Sequence, residues 1–211
     1  SENKMTITDL QLECSKAATI IRRFRSQEDV RMGIPPQVLA EAKGIAVLSV
    51  FKMGFGFSGR GGSGVLFSRL PDGSWSAPVA ITTGGFGIGH QIGVEVTDFV
   101  IVLNTVEAVN SVAQKRSVTL GGNLSVAVGP LGRNVEAGVA ASKTLSPIYS
   151  YSMTKGLFLG ASFEFSAFNT RDEVNTQWYG NGLFAKEILE GFVARPVEAE
   201  ELYITLDATI G

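Results

Sequence analysis

The sequence has little of what catalysis, metal binding and secretion usually require. Its 211 residues include one cysteine, Cys14, and one histidine, His90. A single cysteine excludes an internal disulfide, and one Cys with one His would leave a zinc site to be built mostly from carboxylates. No GxSxG element and no Cys–His pairing pattern indicates a nucleophile. We therefore predict no enzymatic activity, no catalytic residue and no organic cofactor.

Long apolar runs and a strong net charge are also missing. The longest apolar segment, FVIVL at 99–103, has the length of a core strand, whereas about 18 apolar residues are needed to span a bilayer. The net charge of −2 argues against a general nucleic-acid-binding protein. Residues 1–60 hold nine Lys/Arg against six Asp/Glu, but residues 161–211 hold three against nine. An anionic partner therefore fits the amino-terminal part best. Because the chain has a single cysteine and no apolar segment long enough to span a bilayer, we expect a cytoplasmic protein.

Glycine and apolar residues, by contrast, are abundant. The chain is 45% hydrophobic and contains 25 glycines interspersed with Val, Ile, Phe and Leu, which predicts a β-rich core with close backbone approaches. Helical patterns precede and follow many strand patterns, so we expect an α+β domain. Its sheet should be largely antiparallel and strongly curved, or a partial barrel, flanked by an N-terminal amphipathic helix and C-terminal helices. We expect one domain, cut from a longer multidomain protein, with its β-rich core at 34–169 between helical segments at 1–33 and 170–211.

Local signals place several elements. A helix is predicted over residues 8–26, after the capping pattern TITD at 6–9. Short helices are expected at residues 34–44 and after Asn104 or Thr105, and TRDE at 170–173 predicts another capping box. Alternating apolar positions over 117–142 predict further strands.

The segment KMGFGFSGR, residues 52–60, contains a literal GxGxxG after a strand-like apolar run at 44–51. A dinucleotide site requires a helix that begins at the third glycine, because the N-terminus of that helix holds the pyrophosphate. The residues after Gly59 have poor helix propensity and lead into another strand, at 64–70. We therefore expect these glycines to allow bulges, sharp curvature or close backbone packing, and we expect no dinucleotide.

Two carboxylates, Glu95 and Asp98, interrupt the apolar strand VEVTDFVIVL at 94–103. The alternation of a regular strand places them on opposite faces. For Asp98 a structural pairing, with Arg60 or with a turn, is the favoured interpretation. A Ca²⁺ ion held by these carboxylates and by loop carbonyls is the alternative.

Four blocks together resemble a known family. They are IPPQVLAEAKGIAVLSVFKMGFGFSGRGGSGVLFSRLPDGSWSAPVAI from residue 34, GVEVTDFVIVLNTVEAV from 93, SVTLGGNLSVAVGPLGR from 117 and KGLFLGASFEFSAF from 155. Their order and spacing resemble the SYLF domain, over about residues 14–195. The resemblance implies a non-catalytic domain, often joined to a Src-homology-3 or FYVE domain, that binds phosphoinositide-containing membranes in trafficking. The fungal members of this family are associated with actin binding and bundling during endocytosis, so the resemblance also implies actin as a partner.

The resemblance further implies which residues bind lipid, because membrane binding in the family is attributed to a basic amphipathic N-terminal helix. The matching residues here are Lys16, Ile20, Ile21, Arg22, Arg23, Phe24 and Arg25. Lys52 and Arg60 are secondary candidates for anion contact. The alternative is that the apolar stripe of this helix packs on the sheet. The sequence therefore predicts a membrane-recruitment module that binds phosphoinositides or other anionic lipids in membrane trafficking or cytoskeletal organisation. The alternative is a scaffold that binds actin or another cytoskeletal partner.

Overall fold

One sheet and its flanking helices make up the part of the chain that the structure describes. The computed structural model describes residues 2–25, 33–114, 126–129 and 147–211, with the side chains of residues 2–8, 126–128 and 157–166 left out. The helices are α1 (Glu2–Arg25), α2 (Pro36–Glu41), α3 (Val106–Val112), α4 (Asp172–Tyr179), α5 (Ala185–Leu189) and α6 (Glu200–Ile210), with a 3₁₀ turn at Val197–Ala199. The strands are β1 (Gly44–Ser68), β2 (Val79–Leu103), β3 (Val126–Val128) and β4 (Ile148–Thr170).

The four strands form an open sheet in the order β1-β2-β4-β3. The pairs β1–β2 and β2–β4 are antiparallel, and the short β3 is parallel to β4. This confirms the predicted α+β class, with an antiparallel sheet between an N-terminal helix and C-terminal helices.

The three antiparallel strands are unusually long. β1 and β2 have 25 residues each and β4 has 23, whereas strands usually have about five or six. The sequence predicted two separate strands, at 45–51 and 64–70, but β1 pairs with β2 continuously from Gly44↔Leu103 to Leu66↔Val79. The prediction was wrong because glycine lacks a side chain but keeps its backbone donor and acceptor, so a ladder can continue through it.

β1 bends back on itself in the middle. Its register with β2 shifts between Phe55 and Phe57, and Gly56 between them has a φ of 73°, a conformation that favours glycine. Beyond this bulge the strand returns to its start. The backbone N–H of Arg69 donates to the carbonyl oxygen of Lys43 at 2.8 Å.

The two halves of β1 approach each other closely because glycines lie between them. A Cβ atom at Gly62 would lie 2.9 Å from Cα of Val50, and one at Gly64 would lie 2.8 Å from Cα of Leu48. The bulge and the close backbone packing predicted for the glycine-rich segment are therefore both present. We call residues 51–60 and 85–96 the bend, and the remaining residues of β1 and β2 the base.

Two apolar clusters cover the base. The outer face of the sheet, which bears Val47, Val65 and Val100, packs against α1, α2 and α6. The inner face, which bears Leu48 and Ile101, packs against α3 and α5. The core therefore lies at the base on both faces of the sheet.

The helix boundaries confirm some local predictions and correct others. Thr105 caps α3 as expected, since its hydroxyl oxygen accepts a hydrogen bond from the backbone N–H of Ala108 at 3.1 Å. The predicted start of the first helix was wrong, because α1 already begins at Glu2. The capping box at 170–173 is also absent: Thr170 is the last residue of β4, one position too early to cap α4. The strands predicted at 117–125 and 130–142 lie outside the described residues. None of the described helices has the length and apolarity needed to cross a bilayer.

Candidate interaction surfaces

The outer face of the bend carries a row of exposed apolar side chains. Alternation along β1 and pairing with β2 bring them to one face. Exposure is highest at the apex, 80% for Phe55 and 73% for Phe57, and lower toward the base, 38% for Val96. We call this set the bend surface: Phe51, Met53, Phe55, Phe57, Phe86, Ile88, Ile92, Val94 and Val96.

The inner face of the bend is polar and buried. Lys52, Ser58 and Gln91 are each 5–6% exposed. The side-chain amide of Gln91 makes no hydrogen bond within the described part of the chain. The bend therefore reverses the usual arrangement of a half-covered sheet, in which the apolar face is buried and the polar face is solvated.

Lys52 and Arg60, the secondary candidates for anion contact, lie on this inner face with Glu95. Lys52 is paired directly across from Glu95 in the register of β1 and β2. Burial lowers the pKa of Lys52 and that of the Arg60 guanidinium, and the nearby Glu95 carboxylate opposes both shifts. Anion contact by the two residues stays a prediction.

Asp98 lies on the opposite face from Glu95, as the strand alternation predicted. Its carboxylate accepts a hydrogen bond from Arg23 Nη1 at 2.7 Å and one from Ser49 Oγ at 2.9 Å. The expected pairing with Arg60 was wrong, because Arg60 belongs to the inner face. Among the described residues no group of three or more His, Cys, Asp or Glu is placed to hold a metal ion, and the Ca²⁺ site stays an untested prediction.

The apolar residues of α1 lie in the core. Ile20, Ile21 and Phe24 are 2–3% exposed and pack in the outer-face cluster. Cys14 lies in the same cluster, and burial, together with nearby carboxylates, raises its pKa to about 12. Insertion of these side chains into a membrane would require α1 to leave the sheet. Their assignment as lipid-binding residues stays a prediction.

The basic residues of α1 are largely engaged by carboxylates. Lys16 Nζ lies 2.9 Å from Glu13 Oε2, and Arg22 Nη2 lies 2.9 Å from Glu201 Oε1. Hydrogen bonds from Arg22 and from Ser15 lower the pKa of Glu201. Arg23 is bonded to Asp98, and Arg25 is exposed at the end of the helix.

These contacts fix where α1 crosses the sheet. Lys16 Nζ also donates to Ser63 Oγ at 3.1 Å, in the second half of β1, whereas Arg23 reaches Asp98 opposite the first half. The two helix positions are seven residues apart, about 10 Å along the axis. α1 therefore lies across both halves of the folded sheet. Asp98 is two residues from Val96, so the helix ends at the margin of the bend surface.

A cavity of about 470 Å³ lies at the opposite end of the base, near Lys43, Arg69 and Lys186. The Arg69 guanidinium there stacks on the ring of Trp75 at 3.7 Å and donates to the carbonyl oxygen of Leu39 at 3.0 Å. These contacts give Arg69 a structural role.

The bend surface was not among the sites predicted from the sequence. The sequence does contain a signal for this surface: a period-two apolar row, Phe51, Met53, Phe55 and Phe57, which overlaps the GxGxxG segment at 52–60. The pattern alone could not show that the row is exposed, because helices cover the outer-face residues Ile45 and Val47 of the same strand.

The fold and these surfaces define a class of protein: a mixed helix and strand domain that presents an apolar surface of the kind that binds other molecules. The chain belongs to the Ysc84 family of SYLF domains. The model of this family, described as "Las17-binding protein actin regulator", matches residues 84–209, and the resemblance to SYLF domains is thereby confirmed.

Similar proteins occur in fungi and animals. An SH3 domain-containing protein of Schizosaccharomyces pombe is 50% identical over 96% of this chain and 48% of its own length. Protein YSC84 of Saccharomyces cerevisiae is 48% identical over 94% of this chain and 43% of its own length. The human SH3 domain-containing YSC84-like protein 1 is 47% identical over 95% of this chain and 59% of its own length. The chain thus spans about half the length of these relatives. No solved structure matches it.

Proposed function

We propose that this domain is a non-enzymatic interaction module of the actin cytoskeleton. The observation that supports this most is family membership, since residues 84–209 match a family described as an actin regulator. The domain covers about half of its relatives, so actin association of the domain itself has to be tested directly. The absence of catalysis agrees with the family description and stays a prediction.

Co-sedimentation with actin filaments tests this proposal. We expect the chain to pellet with filaments and to stay in the supernatant without them. Phe57→Ser and Phe192→Ser form a matched pair, because the two side chains are 73% and 72% exposed and only Phe57 lies in the bend. Both variants should stay folded, since substitutions at exposed positions leave the core intact. A loss of pelleting by Phe57→Ser alone would therefore place the filament contact on the bend. Pelleting no greater than in the filament-free control would contradict the proposal.

A second function, recruitment to membranes that contain phosphoinositides or other anionic lipids, is favoured by two features. The last turn of α1 carries three exposed arginines, Arg22, Arg23 and Arg25, and the bend surface is apolar. In this proposal the domain is peripheral to cytoplasmic membranes and links them to the cytoskeleton.

Vesicle flotation at low salt tests membrane recruitment and the part played by α1. Arg25→Glu is the best variant because it leaves the ion pairs of Arg22 and Arg23 in place. Each cation near an anionic surface contributes about 1 kcal/mol, so this charge reversal should weaken binding about fivefold or more. Recruitment would be refuted if the parent chain failed to float with anionic vesicles.

A further inference from the structure

We propose that the bend surface inserts into the apolar layer of an anionic lipid bilayer, so that the sheet makes the membrane contact while the apolar stripe of α1 stays in the core. This inference rests on the membrane recruitment proposed above and names the surface responsible for it.

The bend surface is larger than the apolar patches that monomers usually expose. Its nine side chains are between 38% and 80% exposed, and four of them are phenylalanines. One aromatic side chain has a surface of about 150–250 Å². Nine side chains with these exposed fractions together exceed the roughly 300–600 Å² of the largest apolar patch on a typical monomer. An apolar surface of this size in water indicates an apolar partner.

The shape of the surface favours a bilayer over a second copy of the chain. The inner faces of the two halves of β1 lie against each other, so the outer face of the bend is convex, and we call its apex a ridge. Exposure rises toward this apex, from 47% at Phe51 to 59% at Met53 and 80% at Phe55. Stable association of two copies needs about 800 Å² per partner with complementary shapes, which a ridge does not offer to its own copy. Lipid chains rearrange around a ridge and need no complementary shape.

Few polar groups would be carried into the bilayer. The central strand β2 is paired with β4 along the whole bend and with β1 at every position of the bend except residues 89–91, so most of its backbone groups are already bonded. The charged residues of the bend, Lys52, Arg60 and Glu95, belong to the inner face. Among the outer-face positions of β1 and β2 within the bend, His90 is the one ionisable residue, and the others are apolar or glycine.

Cationic residues lie where lipid headgroups would be. Lys155 is exposed and is paired with Val96, at the margin of the bend surface. Arg23 lies at the same margin, where it donates a hydrogen bond to Asp98. Lys16 donates a hydrogen bond to Ser63 in the second half of β1. Because Arg23 and Lys16 are already paired with carboxylates, most of the binding free energy should come from apolar insertion and only a smaller part from charge.

The test uses the 211-residue chain and vesicles of phosphatidylcholine and phosphatidylserine in a ratio of about four to one, with and without a phosphoinositide. Phe55→Ser combined with Phe57→Ser should lower the partition coefficient by at least about a hundredfold, from the transfer free energy of two phenylalanines. Phe192→Ser, at an equally exposed residue outside the bend, should leave the coefficient unchanged within about twofold. Raising the salt to a physiological level should weaken binding less than the double substitution does.

A second experiment detects contact between the bend and the lipid chains directly, without relying on a loss of binding. Phe57→Cys can be labelled with an environment-sensitive fluorophore, since the native Cys14 is buried. Vesicles should shift its emission to the blue, and lipids brominated in their chains should quench it. The same label at Phe192→Cys should respond to neither.

The outcomes separate this inference from the function on which it depends. If the parent binds vesicles and the double variant binds equally well, the bend is not the membrane contact, and membrane recruitment itself stands. Failure of the parent to bind any vesicle overturns both. If the double variant loses actin pelleting and keeps vesicle binding, the bend is a protein-docking surface, which also overturns the inference.

Discussion

The base and the bend consist of the same strands, yet they bury opposite kinds of side chain. At the base, Val47 on the outer face and Leu48 on the inner face are at most 1% exposed, because helices cover both faces. At the bend, Phe55 and Phe57 point outward into solvent, while Lys52 is buried inside. The comparison indicates that the base stabilises the fold and the bend is available for binding. Regions with few buried apolar contacts are also those that can change conformation at low cost.

The largest contrast should be in cysteine reactivity. At pH 8, Cys14 of the parent should react with a thiol reagent at least about a thousandfold more slowly than the cysteine of a Phe57→Cys variant. Burial raises the pKa of Cys14 from 9.0 to about 12, so about a thousandfold less thiolate is present at pH 8. Chromophore release measures both rates. Similar rates would show that the base opens as readily as the bend.

Phenylalanine truncation should separate the two regions by stability. Phe67→Ala should lower the free energy of unfolding by about 3–5 kcal/mol, since Phe67 is fully buried and packs edge-on against Trp75 at 5.3 Å. Phe57→Ala should change it by less than about 0.5 kcal/mol because the ring is exposed. Urea denaturation measures both values. A cost above 2 kcal/mol for Phe57→Ala would mean that the bend contributes to the core.

Glycine substitution should give a smaller contrast of the same kind. Gly64→Ala should cost about 3 kcal/mol, because the new Cβ atom would meet the backbone of Val47 and Leu48, which cannot move aside. Gly59→Ala is the matched control in the bend, where a Cβ atom would have no neighbour within 4 Å. It should stay within about 0.5 kcal/mol of the parent. Thermal unfolding compares the two, and equal midpoints would show that the two halves of β1 do not lie in contact in solution.

Local signals predicted the elements whose partners are close in sequence. The cap of α3 needs only Thr105 and Ala108, three residues apart. The apolar stripe of α1 follows from helical periodicity, which does not by itself show whether the stripe is buried. The bond between Arg23 and Asp98 could not be predicted, because it joins residues 75 positions apart whose proximity depends on how α1 crosses the sheet. The continuity of β1 was missed for a related reason: glycine is a weak strand former in isolation, and pairing with β2 holds it in the ladder.

The sequence by itself determined which residues share a face. Period-two alternation places Phe51 to Phe57 in one row with Lys52 opposite them, and the glycines permit the bulge. Only the tertiary structure decided which apolar row is covered. A helix that lies across the strands is about 10 Å wide, whereas half of a 25-residue strand is about 40 Å long. α1 therefore covers the base and cannot reach the bend, and the same apolar pattern becomes core in one half of the strand and a binding surface in the other.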